Sequence, residues 1–587
     1  MSLGQSGVLM APPRVDAERR PDGVIVLRSP EPLAPFSRAV GEWLVRWAAQ
    51  TPDRCFLAER SGEGWRRITY GDTLDRVRRI GTSLLSRGLT AATPVVILSE
   101  NSISHALLAL GAMHAGLPVA PISPAYSLMS SDKEKLKFIF ELLQPGLVFA
   151  ENPARFAPAL AAVGAAATPI DALLDTEPDA RIDEAFDAIG PDTVAKILFT
   201  SGSTGVPKGV INTQRMLCSN QQSWVQVWPF LEDAPPVLCE WLPWNHTFGG
   251  NATFHLVLRN GGTLHIDDGK PTPDLIQATA RNLRDVSPTL YFNVPRGFDL
   301  LLPLLEADDE LRRSFFARLD AIFYAGAALP QNLFDRLVRL RPDGSTRPFM
   351  LSGWGSTETA PVAALVHFEI DRPTVVGNPP PGVELKLIPS GDKHEVRVRG
   401  PNVSPGYYRS PGLTRAAFDE EGFYMIGDAM RLVDPDAPAR GLAFDGRVAE
   451  DFKLLSGTWV RVGSVRVALI AACNPLVQDA VITGHDRDDV GALVWLNPSA
   501  VRAQELDEIG VRARLLAALA TLHADRSGCS MPPSRLLILE HPPSIDGGEI
   551  TDKGYINQRA VLDRRAAHVE QLYAGAPAVI AVTPAGS

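Results

Sequence analysis

Residues 199–210 read Phe-Thr-Ser-Gly-Ser-Thr-Gly-Val-Pro-Lys-Gly-Val and continue an apolar run that begins at Val194. Two glycines and four hydroxyl side chains precede Pro207, so the segment can turn many N–H and O–H groups toward one polyanion. Lys208 adds a positive charge. The pattern predicts a strand followed by a loop that binds a triphosphate.

The order of residues disfavours the common P-loop of kinases and GTPases. In that motif a lysine directly follows the second glycine, and a serine or threonine directly follows the lysine. Here Pro207 precedes Lys208 and Gly209 follows it. A flexible Ser/Gly linker is the other interpretation, and the preceding apolar strand and the embedded Pro-Lys-Gly disfavour it.

Length and composition limit the class of protein. A chain of 587 residues is too long for one compact core, so two or more domains are expected. The formal net charge of −10 argues against nucleic acid as a partner. The five cysteines form no Cys-x-x-Cys pair, which favours neither a zinc site nor a disulfide framework. We find no leader pattern and no apolar run near the ~20 residues of a membrane span, and therefore expect a cytoplasmic protein.

Short apolar runs alternate with helical patterns through the first part of the chain. This alternation predicts an α/β fold with largely parallel sheets. The strand candidates are 95–98, 117–122, 147–150, 237–242, 263–266, 290–294 and 321–324.

The pattern changes near residue 382. Segments 383–387 and 395–399 alternate apolar and polar residues around Ser390-Gly391-Asp392, which predicts an antiparallel hairpin in a small β subdomain. A last unit of short strands and helices begins after 445–447. We expect the tail, 574–587, to be partly disordered.

Residues 352–358 and 424–428 carry a second group of chemical signals. In Ser352-Gly353-Trp354-Gly355-Ser356-Thr357-Glu358, the glycines let the backbone approach a planar ligand on which Trp354 can stack. Glu358 offers a hard oxygen ligand for Mg²⁺. Asp428, after Gly427, can accept both hydroxyls of a ribose. Ordinary turns are the alternative for both segments.

Three further segments complete the set. They are 241–251 with His246, 324–329 with Gly326-Ala327-Ala328, and 549–559 with Lys553. In isolation, a histidine such as His246 is more often structural, and a lysine such as Lys553 is usually a solvated surface residue.

In this order, the motifs resemble those of the adenylate-forming superfamily of acyl-CoA synthetases, peptide-synthetase adenylation domains and firefly-type luciferases. The resemblance covers about residues 40–572. It implies a large N-terminal domain, 1–446, of two stacked α/β subdomains and a small β-barrel-like subdomain. A hinge at 447–452 and a small mobile α+β lid, 453–587, follow. The pivot stays open among Ala449, Glu450 and Asp451.

The resemblance also implies which residues bind each substrate. For ATP they are Thr200, Ser201, Gly202, Ser203, Thr204, Gly205, Lys208, Gly326, Ala327, Gly353, Trp354, Gly355, Ser356, Thr357, Asp428 and Arg447. Glu358 is the implied Mg²⁺ ligand. The implied catalytic residues are Lys553, Thr204, Lys208 and His246. The acid would contact His246, Phe248, Gly249, Gly326 and Ala327, and coenzyme A would contact Ser456, Gly457 and Trp459.

The implied activity is that of an ATP-dependent acid–CoA ligase. Residues 101–128, 246–251, 448–454 and 544–557 are most similar to bacterial feruloyl-CoA synthetases, which implies a hydroxycinnamic acid such as ferulic acid as substrate. The chain departs from the family at Trp354, commonly Tyr, and at Ile426, usually Thr. Alternatives are a medium- or long-chain fatty acyl-CoA synthetase, an enzyme that loads a carrier protein, and an inactive ligand-binding homologue. We expect no nucleic-acid partner and no membrane span, and a homodimer stays open.

Overall fold

The computed structural model describes residues 2–3, 9–201, 206–342, 347–391, 393–524, 531–551, 554 and 556–582. These residues form a mixed α/β fold with a large N-terminal part and a small C-terminal part. The fold class predicted from the sequence is confirmed.

Strands and α-helices alternate along much of the chain. The strands as far as the middle of the chain are β1 Ser2–Leu3, β2 Leu9–Met10, β3 Asp16–Arg19, β4 Ile25–Arg28, β5 Cys55–Ser61, β6 Gly64–Thr69, β7 Val95–Leu98, β8 Val119–Pro121, β9 Leu147–Ala150, β10 Val194–Ser201, β11 Pro207–Thr213, β12 Val237–Glu240, β13 Thr263–Ile266 and β14 Leu290–Asn293. The later strands are β15 Ala321–Tyr324, β16 Phe349–Gly355, β17 Val362–Leu365, β18 Val375–Gly377, β19 Glu384–Ser390, β20 Lys393–Arg399, β21 Tyr424–Leu432, β22 Leu442–Arg447, β23 Phe452–Lys453, β24 Trp459–Val460, β25 Val477–Thr483, β26 Gly491–Leu496, β27 Arg535–Ile538 and β28 Ile580–Ala581. The α-helices are α1 Gly41–Gln50, α2 Tyr70–Ser86, α3 Ile103–His114, α4 Glu134–Leu143, α5 Ala157–Ala162, α6 Asp171–Leu174, α7 Ala180–Asp187, α8 Gln214–Val227, α9 Phe254–Arg259, α10 Ile276–Asp285, α11 Pro295–Ala307, α12 Asp309–Phe316, α13 Gln331–Arg339, α14 Pro411–Ala416, α15 Val462–Ala472, α16 Pro498–Ala503, α17 Glu508–Ala524, α18 Gln558–Arg564 and α19 Ala566–Tyr573.

The first sheet carries the Ser/Thr/Gly segment and has the order β11-β10-β8-β7-β9. Its neighbours are parallel except β10 and β11. Strand β7 shows why strands of this sheet are continuous apolar runs in the sequence, because both of its faces are buried. Val95 and Ile97 pack toward α3, while Val96 and Leu98 pack toward α4 on the other face.

Two four-stranded sheets form the second α/β unit, with the orders β12-β13-β5-β6 and β14-β15-β16-β17. Each has three parallel strands and one antiparallel edge strand. The carboxyl ends of β14, β15 and β16 therefore meet at one edge of their sheet. That edge presents the segments that follow β15 and β16, which are the predicted site turns.

The predicted β subdomain is a seven-stranded antiparallel sheet, β18-β22-β21-β20-β19-β4-β3. The predicted hairpin at 383–399 is confirmed as β19 and β20, with Glu384 opposite Arg399. The sequence analysis did not identify strands β3 and β4, which extend this sheet from the N-terminal segment. The apolar run Val24-Ile25-Val26-Leu27 was the available signal.

The C-terminal part has its own core. The sheet β25-β26-β27-β28 packs with α15 and α17 around an apolar cluster that includes Leu469, Val494 and Leu515. The tail, which we expected to be partly disordered, contributes β28, where Ile580 pairs with Leu536. Residues 583–587 lie outside the described part of the chain.

None of the helices within the described ranges combines the length and the apolar character that a membrane crossing requires.

Candidate active site

Strands β10 and β11 flank the predicted phosphate loop. Thr200 lies opposite Lys208 and Ser201 opposite Pro207, so the antiparallel pairing continues to both ends of the loop. Thr200 and Ser201 are half-buried at this end of the strand. The four loop residues lie outside the described residues, and their predicted contacts with ATP stay predictions. These residues are Gly202, Ser203, Thr204 and Gly205.

Tyr407 connects two of the predicted site residues. The Nζ atom of Lys208 lies 5.4 Å from the centre of the Tyr407 ring. The Tyr407 hydroxyl donates a hydrogen bond of 3.1 Å to Oε1 of Glu358. Burial, together with the neighbouring Glu358 carboxylate, raises the pKa of Tyr407, which keeps the phenol protonated as a donor. A cation and a carboxylate from separate motifs therefore meet at one tyrosine, which the sequence analysis missed.

The glycine at the last position of β16, Gly355, has a steric cause. A Cβ atom on Gly355 would lie 1.8 Å from the carbonyl oxygen of Pro361, so a side chain cannot be accommodated there. Thr357–Thr359 then forms a single 3₁₀ turn, in which Glu358 is 8% exposed. The Ser356 N–H donates to Oγ1 of Thr359 at 2.8 Å and fixes the start of this turn.

Glu358 is the predicted Mg²⁺ ligand. The described residues contain no group of three or more His, Cys, Asp or Glu side chains that could bind a metal ion. A single carboxylate nevertheless fits Mg²⁺ bound to a nucleotide, because phosphate oxygens and water supply most of its ligands.

Trp354 and Asp428 are joined across two sheets. The indole Nε1–H of Trp354, on β16, donates a hydrogen bond of 2.8 Å to Oδ2 of Asp428, on β21. The other oxygen, Oδ1, is buried, accepts no hydrogen bond from the described residues and lies 3.5 Å from Nε of Arg447. Burial raises the pKa of Asp428, while Arg447 and the indole N–H oppose this shift. Trp354 thus fixes one oxygen of the Asp428 carboxylate. The other oxygen can accept a hydrogen bond from a ligand hydroxyl.

The Gly326 turn follows β15. Gly326 has a φ of 87°, which glycine adopts without strain, and Gly326 and Ala327 are exposed. Tyr324 lies opposite Ser352 in the parallel register of β15 and β16. The turns after these two strands are therefore neighbours, as the sequence analysis requires for a shared site.

Of the predicted acid-binding residues, Phe248 and Gly249 begin a π-helical turn, Phe248–Thr253, and His246 lies just before it. The Phe248 N–H faces Nδ1 of His246 at 3.3 Å, and the Phe248 ring packs 5.8 Å from that of Phe323 on β15. A Cβ atom on Gly249 would lie 2.3 Å from the carbonyl oxygen of Leu242. Close backbone packing therefore accounts for this glycine, and the half-buried His246 is the most open of the three.

One residue of the predicted hinge, Asp451, contacts both the antiparallel sheet and the first helix of the C-terminal part. The Asp451 carboxylate forms a buried ion pair with Lys393 of β20, and its Oδ1 accepts from the Val462 N–H at the start of α15, at 3.2 Å. Burial raises the pKa of Asp451, and Lys393 opposes this shift. Ala449 and Glu450 lie in the turn that precedes it. A proline at Asp451 would therefore also break an ion pair, so Ala449 and Glu450 are cleaner positions at which to test the hinge.

The predicted CoA-binding residues lie on the hairpin between β23 and β24. Gly457 has a φ of 82°, and Ser456 Oγ donates to Thr458 Oγ1 at 2.9 Å. Trp459 is 53% exposed beneath Lys453, whose Nζ lies 5.0 Å from the indole ring centre. This hairpin is presented to solvent, and its contact with CoA stays a prediction.

Lys553 lies outside the described residues, but its flanks are well anchored. Ile550 and Ile556 form a bridge that closes the loop around it. The buried Glu549 accepts from Arg565 at 2.7 and 3.0 Å. Burial alone would raise the pKa of Glu549, yet the hydrogen bonds from Arg565 and from the Ser544 N–H hold it below its usual range.

The segment just before this loop contacts the N-terminal part. Oδ2 of Asp546 accepts hydrogen bonds from the Ser131 N–H at 3.0 Å and from its hydroxyl at 2.5 Å. Nζ of Lys135 donates to the Ile545 carbonyl at 2.6 Å. Burial would raise the pKa of Asp546, but the serine hydrogen bonds lower it. The sequence analysis did not identify this contact, because nothing local in residues 130–135 indicates a partner more than 400 residues away.

Comparison with known proteins agrees with this arrangement. The profile of the AMP-binding enzyme family matches residues 44–408, and that of the AMP-binding enzyme C-terminal domain matches residues 458–577.

Three curated relatives illustrate the range of the matches. The chain is 28% identical to the 3-[(3aS,4S,7aS)-7a-methyl-1,5-dioxo-octahydro-1H-inden-4-yl]propanoyl:CoA ligase of Rhodococcus jostii, over 75% of this chain and 86% of that ligase. It is 25% identical to the long-chain-fatty-acid–CoA ligase FadD15 of Mycobacterium bovis, over 87% and 92%. It is 27% identical to the probable non-canonical nonribosomal peptide synthetase CymA of Salinispora arenicola, over 76% of this chain but only 6% of that synthetase.

Solved structures share the fold. The adenylation domain of the carboxylic acid reductase of Segniliparus rugosus, in complex with AMP and a carboxylic acid, has a TM-score of 0.72 at 20% identity and covers 92% of this chain and 94% of its own. The anthranilate CoA ligase AuaEII has a TM-score of 0.72 at 18% identity and covers 92% and 99%. At these identities the likeness establishes the fold alone. The family profile spans more than half of the chain, and with the site geometry above it shows that this chain belongs to the AMP-binding enzyme family.

Proposed function

We propose that this chain is an ATP-dependent acid–CoA ligase that activates a hydroxycinnamic acid, such as ferulic acid, through its acyl adenylate. The observation that supports this most is the Trp354–Asp428–Arg447 group, in which a buried carboxylate oxygen lacks a donor beside a cation. A nucleotide ribose can supply that donor, and Arg447 can face the nearby phosphate. Residues 1–446 would bind ATP and acid, 447–452 would act as the hinge, and 453–587 would form the lid.

In the first half-reaction, an oxygen of the acid would attack the α-phosphorus of ATP. A bond forms between the acyl oxygen and phosphorus, and the bond from the α-phosphorus to the bridging oxygen breaks, which releases pyrophosphate. Two anions approach each other in this step, so positive charge near the α-phosphate lowers the barrier. Lys553 would supply this charge, and Lys208 would bind the outgoing phosphates. Mg²⁺ at Glu358, when bound, would neutralise further phosphate charge.

In the second half-reaction, the CoA thiol would lose its proton to solvent and attack the acyl carbonyl carbon, and AMP would leave with the electrons of the carbon–oxygen bond. This step needs the CoA thiol at the position where the first step needs Lys553. A lid that rotates about the hinge can move Lys553 away and let the thiol approach. The exposed hairpin with Ser456, Gly457 and Trp459 would then approach the site.

The substrate class rests on two features. His246 is half-buried and Gly326 and Ala327 are exposed, so a substrate can reach these positions, and the buried Phe248 packs beside Phe323. The residues that resemble feruloyl-CoA synthetases include this turn, 246–251. A fatty acyl substrate is the second candidate, because a long-chain-fatty-acid–CoA ligase is among the relatives that match over most of their length.

A panel of acids tests the activity and the substrate class together. Thioester formation with ATP and CoA is measured for ferulate, cinnamate, benzoate and octanoate. A site that binds the para-hydroxyl can reject an analogue without it by up to about 10⁴-fold, whereas an apolar pocket discriminates single methylenes by only about 10–200-fold. We expect kcat/KM to be highest for ferulate, at least about tenfold lower for cinnamate, and lowest for octanoate.

The other outcomes of the panel separate the alternatives. Comparable kcat/KM for octanoate and ferulate would contradict the aryl assignment and favour the fatty acyl one. Acid-dependent release of pyrophosphate without any thioester would favour an enzyme that loads a carrier protein. No acid-dependent turnover of ATP with any member of the panel would count against the ligase assignment itself.

Trp354 provides a test of the nucleotide site. Trp354→Phe keeps an aromatic ring and removes the N–H that fixes Asp428. A hydrogen bond to a charged group contributes about 1.5–3 kcal/mol, so KM for ATP should rise about tenfold or more, with KM for the acid unchanged. Steady-state kinetics with each substrate varied in turn measures the two values.

Trp495→Phe is the matched control for Trp354→Phe. The buried Trp495 indole also donates a hydrogen bond, a half-buried one of 2.8 Å to the His541 carbonyl, but lies in the C-terminal part. It should leave KM for ATP unchanged. An unchanged KM for ATP in Trp354→Phe, or an equal rise in KM for the acid, would rule out this role of Trp354.

Asp546 provides a test of lid placement in the first step. Asp546→Ala removes the acceptor of both Ser131 hydrogen bonds and loosens the loop that carries Lys553. We expect adenylate formation to slow about tenfold, while conversion of preformed acyl adenylate and CoA to thioester stays near the wild-type rate. Each half-reaction is measured separately by rapid quench. Asp563→Ala, an exposed aspartate on α18, is the control, and equal losses in both half-reactions of Asp546→Ala would refute the assignment.

A further inference from the structure

A lysine is buried in the strand that leads into the phosphate loop. Lys196, on β10, is 5% exposed and lies between Asn212 of β11 and Val119 of β8 in the sheet register. The sequence analysis took it as part of an apolar run. Removing an ammonium group from water is costly unless it is paired. Among the described residues, no carboxylate lies within ion-pair distance of Lys196, so its burial lowers stability and needs another explanation.

The polar contact of Lys196 is with the acid-binding turn. Its Nζ donates a hydrogen bond of 2.7 Å to the carbonyl oxygen of Gly250. Two buried histidines lie near it, His105 on α3 and His255 on α9, and the Lys196 charge adds to the effect of burial in lowering the pKa of each. Burial lowers the pKa of both, to about 4 for His105, so neither adds a positive charge near neutral pH. Burial also lowers the pKa of Lys196, to about 7.

Hydrogen bonds hold both the N–H and the carbonyl group of Gly250. Its N–H donates to the His246 carbonyl at 2.8 Å, and its carbonyl accepts from Lys196. A Cβ atom at Gly250 would lie 2.3 Å from the Trp244 carbonyl oxygen, so the turn is already closely packed. The Lys196 ammonium therefore holds the turn that carries His246, Phe248 and Gly249.

The same strand ends at the predicted phosphate loop. Four residues after Lys196, β10 reaches Thr200, which pairs with Lys208 at the edge of the phosphate loop. We propose that Lys196 is a positioning residue that fixes the acid-binding turn, 246–250, relative to the phosphate loop, so that the carboxylate and the α-phosphorus stay in register. This inference rests on the proposed function. It explains why a buried cation is kept where an apolar side chain would fit the sheet.

Lys196→Met tests this role, because methionine keeps the length of the side chain and removes the ammonium group. We expect KM for the acid to rise at least tenfold, with KM for ATP within twofold of the wild type. We also expect a melting temperature at pH 6 that is no lower than that of the wild type, since the variant no longer buries a charge. Lower activity combined with undiminished stability is not expected of a merely structural residue.

Ile197→Val is the matched control. It lies at the next position of β10, is fully buried, and loses one methylene group. Buried Ile→Val substitutions typically cost about 0.5–1.5 kcal/mol of stability. The melting temperature of Ile197→Val should therefore fall, while its KM for the acid stays within twofold of the wild type. Lys196→Met should therefore weaken acid binding without lowering the melting temperature, whereas Ile197→Val should lower the melting temperature without weakening acid binding.

The ionisation of Lys196 gives a second readout. Its folded pKa lies below the unfolded value, so the unfolded chain binds more protons between about pH 7 and 10 and stability rises with pH in that window. The Lys196 charge also affects His105 and His255, but both histidines titrate below this window. The melting temperature of the wild type should therefore rise relative to that of Lys196→Met as pH increases from 7 to 9.5.

Hydrogen exchange separates this inference from the proposed function. In Lys196→Met, amide exchange in 246–253 should become faster, while exchange in 207–213 should not change. If the wild type activates no acid, the ligase proposal fails. Faster amide exchange confined to 246–253 in Lys196→Met would still support the role of Lys196 in holding this turn. Unchanged exchange in 246–253, or unchanged KM for the acid in an active enzyme, would overturn the role of Lys196.

Discussion

Strand β10 is the element on which both halves of the site depend. Its carboxyl end enters the phosphate loop, its antiparallel pairing with β11 places Lys208 opposite Thr200, and Lys196 at its centre binds the Gly250 carbonyl. Because the strand is buried within a sheet, these three attachments cannot shift independently of one another. Any chemistry between an acid near His246 and a nucleotide near Lys208 would therefore depend on the geometry of this strand.

A second constraint crosses from the α/β sheets to the antiparallel sheet. The Trp354 indole binds Asp428, and Tyr407 stands between Lys208 and Glu358. These contacts draw residues from three separate motifs into one polar cluster on the carboxyl side of β16. Low exposure strengthens each interaction, since charged hydrogen bonds weaken in water. The cost is an unsatisfied acceptor at Asp428, which is a common feature of sites that await a ligand.

The sequence predicted the α/β class and the β19–β20 hairpin, because each depends on local patterns of apolar residues and glycine, while the roles of the site motifs stay predictions. The partners of Trp354 and Asp546 could not be predicted, since residues far apart in sequence meet only after the sheets pack. Lys196 was overlooked for a different reason: its neighbours in β10 are apolar, and a single lysine does not change the period of a strand. Strand β4 shows the reverse case, in which an apolar run, 24–27, was visible but was not recognised as part of the later sheet. The phosphate loop and Lys553 rest on sequence resemblance, as they lie outside the described residues.

If the site forms an acyl adenylate before any thiol takes part, labelled pyrophosphate should exchange into ATP with Mg²⁺ and acid present and CoA absent. Label should enter ATP only when an acid is present. Lys553→Ala should abolish this exchange, while preformed acyl adenylate and CoA still give thioester. Exchange without acid, or exchange that persists in Lys553→Ala, would rule out this order of steps.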